Sequence, residues 1–273
     1  MKYKIILDSS SDMKIDFIKD EEVGFEIVPL TIRVKDKDFV DDDKLEINKM
    51  LEEMHSYNGK STSSCPSPYK YIEACSGEYN FIITISSKLS GSYNSACLAS
   101  NMIKDKKVFV IDSKLTSGAM ILIAKKVYSL IKEEKDYQSI CQEIEKYRDE
   151  RNLLFVLDSF DNIIKNGRMS KLAASMAKLL MIKPLCKGEE GEIKIFKKVR
   201  TRKLLIIKLI SEIKEKVGNG YLDKECIITH CFDSETGLLI KNALKGYFKE
   251  VILLPMKGLC SFYALEKGII VSF

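Results

Sequence analysis

Through the first half of the chain, short apolar runs alternate with segments whose apolar positions recur every three or four residues. The first pattern predicts buried strands, the second amphipathic helices. Strands are expected at 3–7, within 25–34, and at 81–85, 108–111 and 153–157. Between them, Leu45, Ile47, Met50, Leu51 and Met54 share one side of a helix that Asp43 would cap. Ser67 and Pro68 supply a cap and a first helical position for a second helix reaching about residue 76. Helices are also expected over about 116–134 and 136–150. Pro29 suits an edge strand or a strand start, because proline cannot donate to a ladder. Alternating strands and helices imply right-handed crossovers and a parallel sheet, whose carboxyl edge is where open α/β sheets bind ligands.

The second half has a different texture. A short helical turn at 162–166 is broken by Gly167, and a helix rich in Ala and Met is expected over 170–180. A hairpin follows, 182–186 and 192–199 around a Gly-Glu-Glu-Gly turn. Then come a helix at 201–217, a strand at 226–230, a helix at 236–248 and strands near 251–254 and 269–271. The pattern predicts an α/β N-terminal unit over 1–157, with a Rossmann-like parallel sheet, and an α+β unit over 158–273.

The 273 residues suffice for two domains, and hydrophobic residues at 45% with charged residues at 30% are ordinary for a globular chain. No apolar run approaches the roughly 18 residues that span a bilayer. The first residues lack the apolar stretch of a signal peptide, so a cytoplasmic location is expected. The net charge of +5 is small against 44 basic and 39 acidic residues; with no Trp and no dense basic patch, nucleic acid is not implied. Eight cysteines without a C-x-x-C pair argue against zinc and for reduced, packed thiols. Cys226 and His230 on one strand would lie about 13 Å apart, too far to share a metal.

The stretch from Ile83 to Ala96 organises the candidate chemistry. A strand end opens into the hydroxyl-rich turn Ser86-Ser87-Lys88-Leu89-Ser90-Gly91-Ser92, with a helix starting at or just after Ser90. Free amides and the helix dipole there, with the Ser90 hydroxyl and the Gly91 amide, would hold a carboxylate or phosphate without a cation. Alternatively, Ser90 only caps a packed helix. Three strands end in Asp-Ser, at Asp8, Asp112 and Asp158, and for the last two a capping role is expected.

Several chemistries are excluded. There is no G-x-S-x-G elbow, and His55 and His230 sit where structural roles are expected. Asp8-Ser9-Ser10-Ser11-Asp12 has Ser where an aspartyl-phosphate enzyme needs a second Asp, and no nucleotide-binding signature appears. Gly59-Lys60-Ser61 ends like a P-loop, but Met54 stands where that loop requires Gly. Hydroxyls, amides and a cleft without an acid, base or metal set point to binding rather than catalysis, so no catalytic residue is expected.

Seven segments now combine: Asp8-Ser9-Ser10-Ser11-Asp12, Val28-Pro29-Leu30, Ser63-Ser64-Cys65-Pro66-Ser67, the run from Ile85 to Tyr93, Ile111-Asp112-Ser113, Asn166-Gly167-Arg168-Met169-Ser170 and Val199-Arg200-Thr201. In this order they resemble the DegV family over nearly the whole chain. The resemblance implies two domains with one long-chain, palmitate-like fatty acid held between them and no other cofactor. It places Ser63 and Ser90 as hydroxyl donors to the carboxylate, with Gly91 adding its amide. Tyr263 stands where the family carries the His of H-x-G-P-G, and Leu265, Glu266 and Lys267 replace the Gly-Pro-Gly. A Tyr hydroxyl also donates to a carboxylate.

The resemblance further implies a non-catalytic subunit of a fatty acid kinase system serving phospholipid metabolism. A separate kinase would phosphorylate the carboxyl group, Arg168 and Arg200 would face that partner, and transient membrane contact is compatible with the role. The segment 173–181 is expected to wall the acyl tunnel or to be ordinary core. Two other classes stay open: a stand-alone phosphotransferase related to dihydroxyacetone kinase domains, and a regulatory protein for which the lipid is a signal.

Overall fold

A computed structural model describes residues 1–14, 20–170, 174–175, 182–218 and 220–273. The strands β1 (Tyr3–Asp8), β2 (Val23–Val28), β6 (Tyr79–Thr84) and β7 (Lys107–Asp112) form a parallel sheet in the order β2-β1-β6-β7. The apolar runs Ile5-Ile6-Leu7 and Phe81-Ile82-Ile83 are buried because helices cover both faces. On one face lie α2 (Pro68–Ala74) and α3 (Ser92–Met102), packed over Ile6 and Ile82. On the other lies α4 (Gly118–Lys132), whose residues from Gly118 to Ala124 are all buried.

That burial has a simple cause: α4 also packs on the second sheet, against β11 (Glu225–His230) and β13 (Ile269–Ser272). The second sheet runs β10-β9-β8-β13-β11-β12, with β8 at Leu153–Val156, β9 at Lys183–Glu189, β10 at Glu192–Val199 and β12 at Glu250–Pro255. Only the β11–β12 pair is parallel. Its far face is covered by α7 (Arg202–Val217) and α8 (Ser234–Leu244). The core between the two sheets joins Ile5 and Leu7 to Phe155 and Ile270 in one cluster. An α/β unit with a parallel sheet and a mixed-sheet second unit are both present.

A third, small sheet is also present. Pro29 ends β2, and the chain continues as β3 (Thr31–Val34), flanked antiparallel by β4 (Lys37–Val40) and β5 (Thr62–Ser64). The stretch 62–64, for which the apolar pattern predicts no element, is thus a strand, and Ser63 faces Ile32 across its ladder. Beside this sheet lies α1 (Ile47–Ser56), whose cap position is Glu46 rather than Asp43. The strand Leu153–Val156 lies before the expected boundary at 157, yet it bonds to β9 and β13, so the second sheet begins earlier than that boundary. Its Asp158 therefore does not join the parallel edge, nor does it cap a helix; it pairs with Arg202 at 2.9 Å. Asp112 instead accepts the amides of Ser87 at 3.0 Å and Lys114 at 2.9 Å, pinning two loops of the parallel edge together. After α5 (Tyr137–Asp149) and α6 (Asp161–Lys165), the expected helix at 170–180 and the proposed tunnel wall at 173–181 lie outside the described residues, except for 174 and 175. Near the end, α9 (Gly258–Ala264) is a helix the sequence pattern did not announce.

Candidate functional site

Between the carboxyl edge of the parallel sheet and the inner face of the mixed sheet lies a largely apolar cavity, part of it open to solvent. Its floor is the period-two side of β8, which puts Leu153, Phe155 and Leu157 on one face, with Ile270 paired to Phe155 from β13. Its roof comes from loops after parallel strands, through Ile85, Leu89 and Leu115, and one side is α9, through Leu259, Cys260 and Ala264. Gly188 on β9 completes it: a Cβ there would meet Leu115 Cδ2 at 2.5 Å, so glycine lets the hairpin approach the roof without displacing the end of the Leu115 side chain.

Besides Lys114, Thr116 and Glu192, the polar side chains of the wall are Ser63, Ser90, Arg168 and Tyr263. Ser63 Oγ lies 2.8 Å from the Tyr263 hydroxyl, and both line the cavity with Ser90 and Arg168. The Arg168 guanidinium carbon stands 5.8 Å from the Tyr263 ring centre, and its Nε donates to the Leu89 carbonyl at 3.1 Å, beside Ser90. Burial pushes the Tyr263 phenol above its ordinary range, opposed by Ser63 and the Arg168 charge. The hydroxyl therefore stays protonated near neutral pH and can donate. Hydroxyl donors and a guanidinium in the wall of a largely apolar cavity suit an amphipathic anion with a long tail.

The family model for DegV, described as uncharacterised proteins, matches residues 2–270. This chain belongs to the DegV family. A DegV domain-containing protein of Streptococcus pyogenes serotype M1 is 34% identical over 281 residues, covering 100% of this chain and 99% of that one. Among solved structures, the Streptococcus pneumoniae fatty acid kinase (Fak) B3 protein loaded with linoleic acid is similar with TM-score 0.93 and 34% identity, covering 100% of this chain and 99% of that chain. A DegV family protein of Ruminococcus gnavus, refined with vaccenic acid, gives TM-score 0.91 at 32% identity, again over 100% of this chain and 99% of the other. One from Eubacterium eligens loaded with heptadecanoic acid gives 0.89 at 31%, over 99% and 98%.

In this DegV chain the structure brings Ser63, Ser90, Arg168 and Tyr263 together and leaves two expected residues out. Gly91 is the exposed cap position of α3, which starts just after Ser90 as expected, and is not in the cavity wall. Ser90 does more than cap: its Oγ accepts the Ser92 amide at 3.2 Å and still borders the cavity. Arg200 is exposed at the end of β10, away from the cavity wall. Arg202, two residues on, is the cation that pairs inward, with Asp158 and with Asp233 at 2.6 Å. His55 Nε2 lies 2.8 Å from Glu266 at the surface, and His230 Nδ1 accepts the Asp233 amide at 3.3 Å.

Sequence reasoning missed the polar hub behind the roof. Ser9 Oγ accepts the Leu30 amide at 3.0 Å, and the Ser10 carbonyl accepts from Thr116 Oγ1 at 3.1 Å, Ser117 N at 2.8 Å and Cys260 Sγ at 3.3 Å. Asp8, fully buried, accepts the Ile85 amide at 2.9 Å; burial pushes its pKa up to about 6, while its Ser10 and Ile85 donors oppose that. Burial likewise raises Asp12 to about 7, opposed by Ser117 and the Lys257 amide. Leu30, Ile85, Thr116 and Cys260 all line the cavity, so one turn after β1 anchors four parts of its wall. The DSSSD run was the available signal. Its phosphotransfer reading was set aside for want of a second Asp, but its role as an anchor for neighbouring loops was not foreseen.

Proposed function

We propose that this chain binds one long-chain fatty acid, its carboxylate among Ser63, Ser90, Tyr263 and Arg168 and its tail along Phe155, Leu115 and Ile270. The observation that carries this reading is the Ser63–Tyr263 hydroxyl pair at 2.8 Å in the wall of a largely apolar cavity. Binding of linoleic, vaccenic and heptadecanoic acids by similar DegV proteins supports it. The physics agrees: a buried acyl chain gains about 0.8 kcal/mol per methylene, so sixteen carbons give roughly 10 kcal/mol gross, enough to offset desolvating a carboxylate that meets donors.

The chain then acts as a non-catalytic carrier that presents the acid to a partner kinase for acyl-phosphate formation, with Arg168 beside the head group and exposed Arg200 toward the partner's acidic surface. Mass spectrometry of lipid extracted from the purified protein tests the binding. One fatty acid per chain is expected; no extracted acid and no uptake of added palmitate would overturn it. Acyl phosphate formed from ATP and palmitate by this chain alone would overturn the carrier role.

A further inference from the structure

We propose that Asp41 and Asp12 are positioning residues for the head-group end of the cavity, their carboxylates fixing the start of the helix that carries Tyr263. This deepens the proposed function and rests on it. The cap position of α9, Lys257, gives its own helix no side-chain cap. The cap comes from elsewhere in the chain. Asp12 Oδ1 accepts the Lys257 amide at 2.7 Å, Asp41 Oδ1 the Gly258 amide at 2.7 Å and Asp41 Oδ2 the Leu259 amide at 3.0 Å. Three successive orphan amides are thus met by two carboxylates from the turns after β1 and β4.

The fit is close. A Cβ at residue 258 would stand 2.6 Å from Asp41 Oδ1 and 2.2 Å from Leu45 Cδ2, so the carboxylate reaches the helix only because that residue is glycine. Both acids are nearly inaccessible, Asp41 at 1% and Asp12 at 2%, and neither lines the cavity. Burying two carboxyl groups is expensive unless every oxygen is met, and here they are met by the elements that shape the wall. Asp12 Oδ2 also accepts the Ser117 hydroxyl at 2.6 Å, next to the lining residue Thr116. The Asp41 amide donates to the carbonyl of the lining residue Leu30 at 2.9 Å.

Tyr263 lies five residues beyond Gly258, so α9 transmits any shift at its start to the 2.8 Å contact with Ser63. Hydrogen bonds to a charged acceptor are worth about twice those to a neutral one. Misplacing the phenol should therefore weaken a free acid more than its ester.

The test compares palmitate with methyl palmitate by titration calorimetry in Asp41→Asn, which loses one amide contact, and in Gly258→Ala, which disturbs the same contact from the helix side. Each is expected to weaken palmitate binding about ten-fold and methyl palmitate less than about three-fold. In a Tyr263→Phe background that acid-selective loss should vanish. If one variant does not fold, the other carries the test. Equal losses for acid and ester that persist without the phenol, or no loss in a parent that binds palmitate, overturn the positioning role alone. A parent that binds neither ligand overturns the proposed function and this role with it.

Discussion

A serine suffices at position 63 because the contact needs only a hydroxyl held at the right depth, and the ladder with Ile32 and the bond to Tyr263 supply that hold. Ser63→Ala, Ser90→Ala and Tyr263→Phe each remove one donor and almost no volume. Each is expected to weaken palmitate binding by about 1–2 kcal/mol, and fluorescence displacement of a bound fatty-acid probe measures it. Unchanged affinity in all three would remove the head group from this end. Ser63, Ser90, Arg168 and Tyr263 were legible as residues because a hydroxyl motif or an aligned position names a side chain. Gly91 and Arg200 lie outside the cavity wall, and spacing along the chain does not say which neighbour in a turn faces inward. One or two positions away, Ser90 borders the cavity and Arg202 pairs with Asp158 and Asp233.

The elements expected from apolar periodicity are mostly present, and the two that were missed share a cause. β5 has the sequence Thr-Ser-Ser, with no apolar alternation; it is a strand only because β3 offers its edge. α9 spans seven residues, all but Tyr263 buried, so no polar face marks its period, and its cap is borrowed from Asp41 and Asp12. Long-range partners made both, and no local pattern carries them. β9 shows the converse, a glycine whose reason lies across the cavity. In Gly188→Ala the new methyl would meet the flexible end of Leu115, and the relief available is toward the cavity. The tail should lose the room of one or two methylenes, shifting the affinity ratio of laurate to palmitate at least four-fold toward laurate at about 0.8 kcal/mol per methylene. A ratio that does not move would mean the tail does not run past β9.

At the scale of the molecule, the two sheets are joined by buried polar contacts as well as by apolar core. Thr229 of β11 lies 2.7 Å from the Ser117 hydroxyl, which donates to Asp12 at 2.6 Å, and Asp12 receives the amide of Lys257 at 2.7 Å. This junction was beyond reach of the sequence, since buried acids read like any surface turn until the partner elements close over them. It also sets a pH dependence. Asp8 at about 6, Asp12 at about 7 and Asp41, also raised by burial, hold protons in the folded state over a range where the unfolded chain, titrating near 4, has released them. Their contribution is therefore fully present below pH about 4 and is lost as pH rises toward 7, a change on the order of 3 kcal/mol for Asp8 alone. Asp20 and Asp149, drawn down to about 2 by hydrogen-bonding partners, act oppositely, but only below that window. His230, lowered by burial, opposes the trend within the window as a single half-buried group. The urea midpoint should therefore be higher at pH about 5 than at pH about 7.5, and Asp12→Asn should flatten that slope by removing the group raised furthest. A midpoint that rises with pH across this interval would mean that the carboxylates at the junction are ionised throughout, held so by the amides and hydroxyls that converge on them.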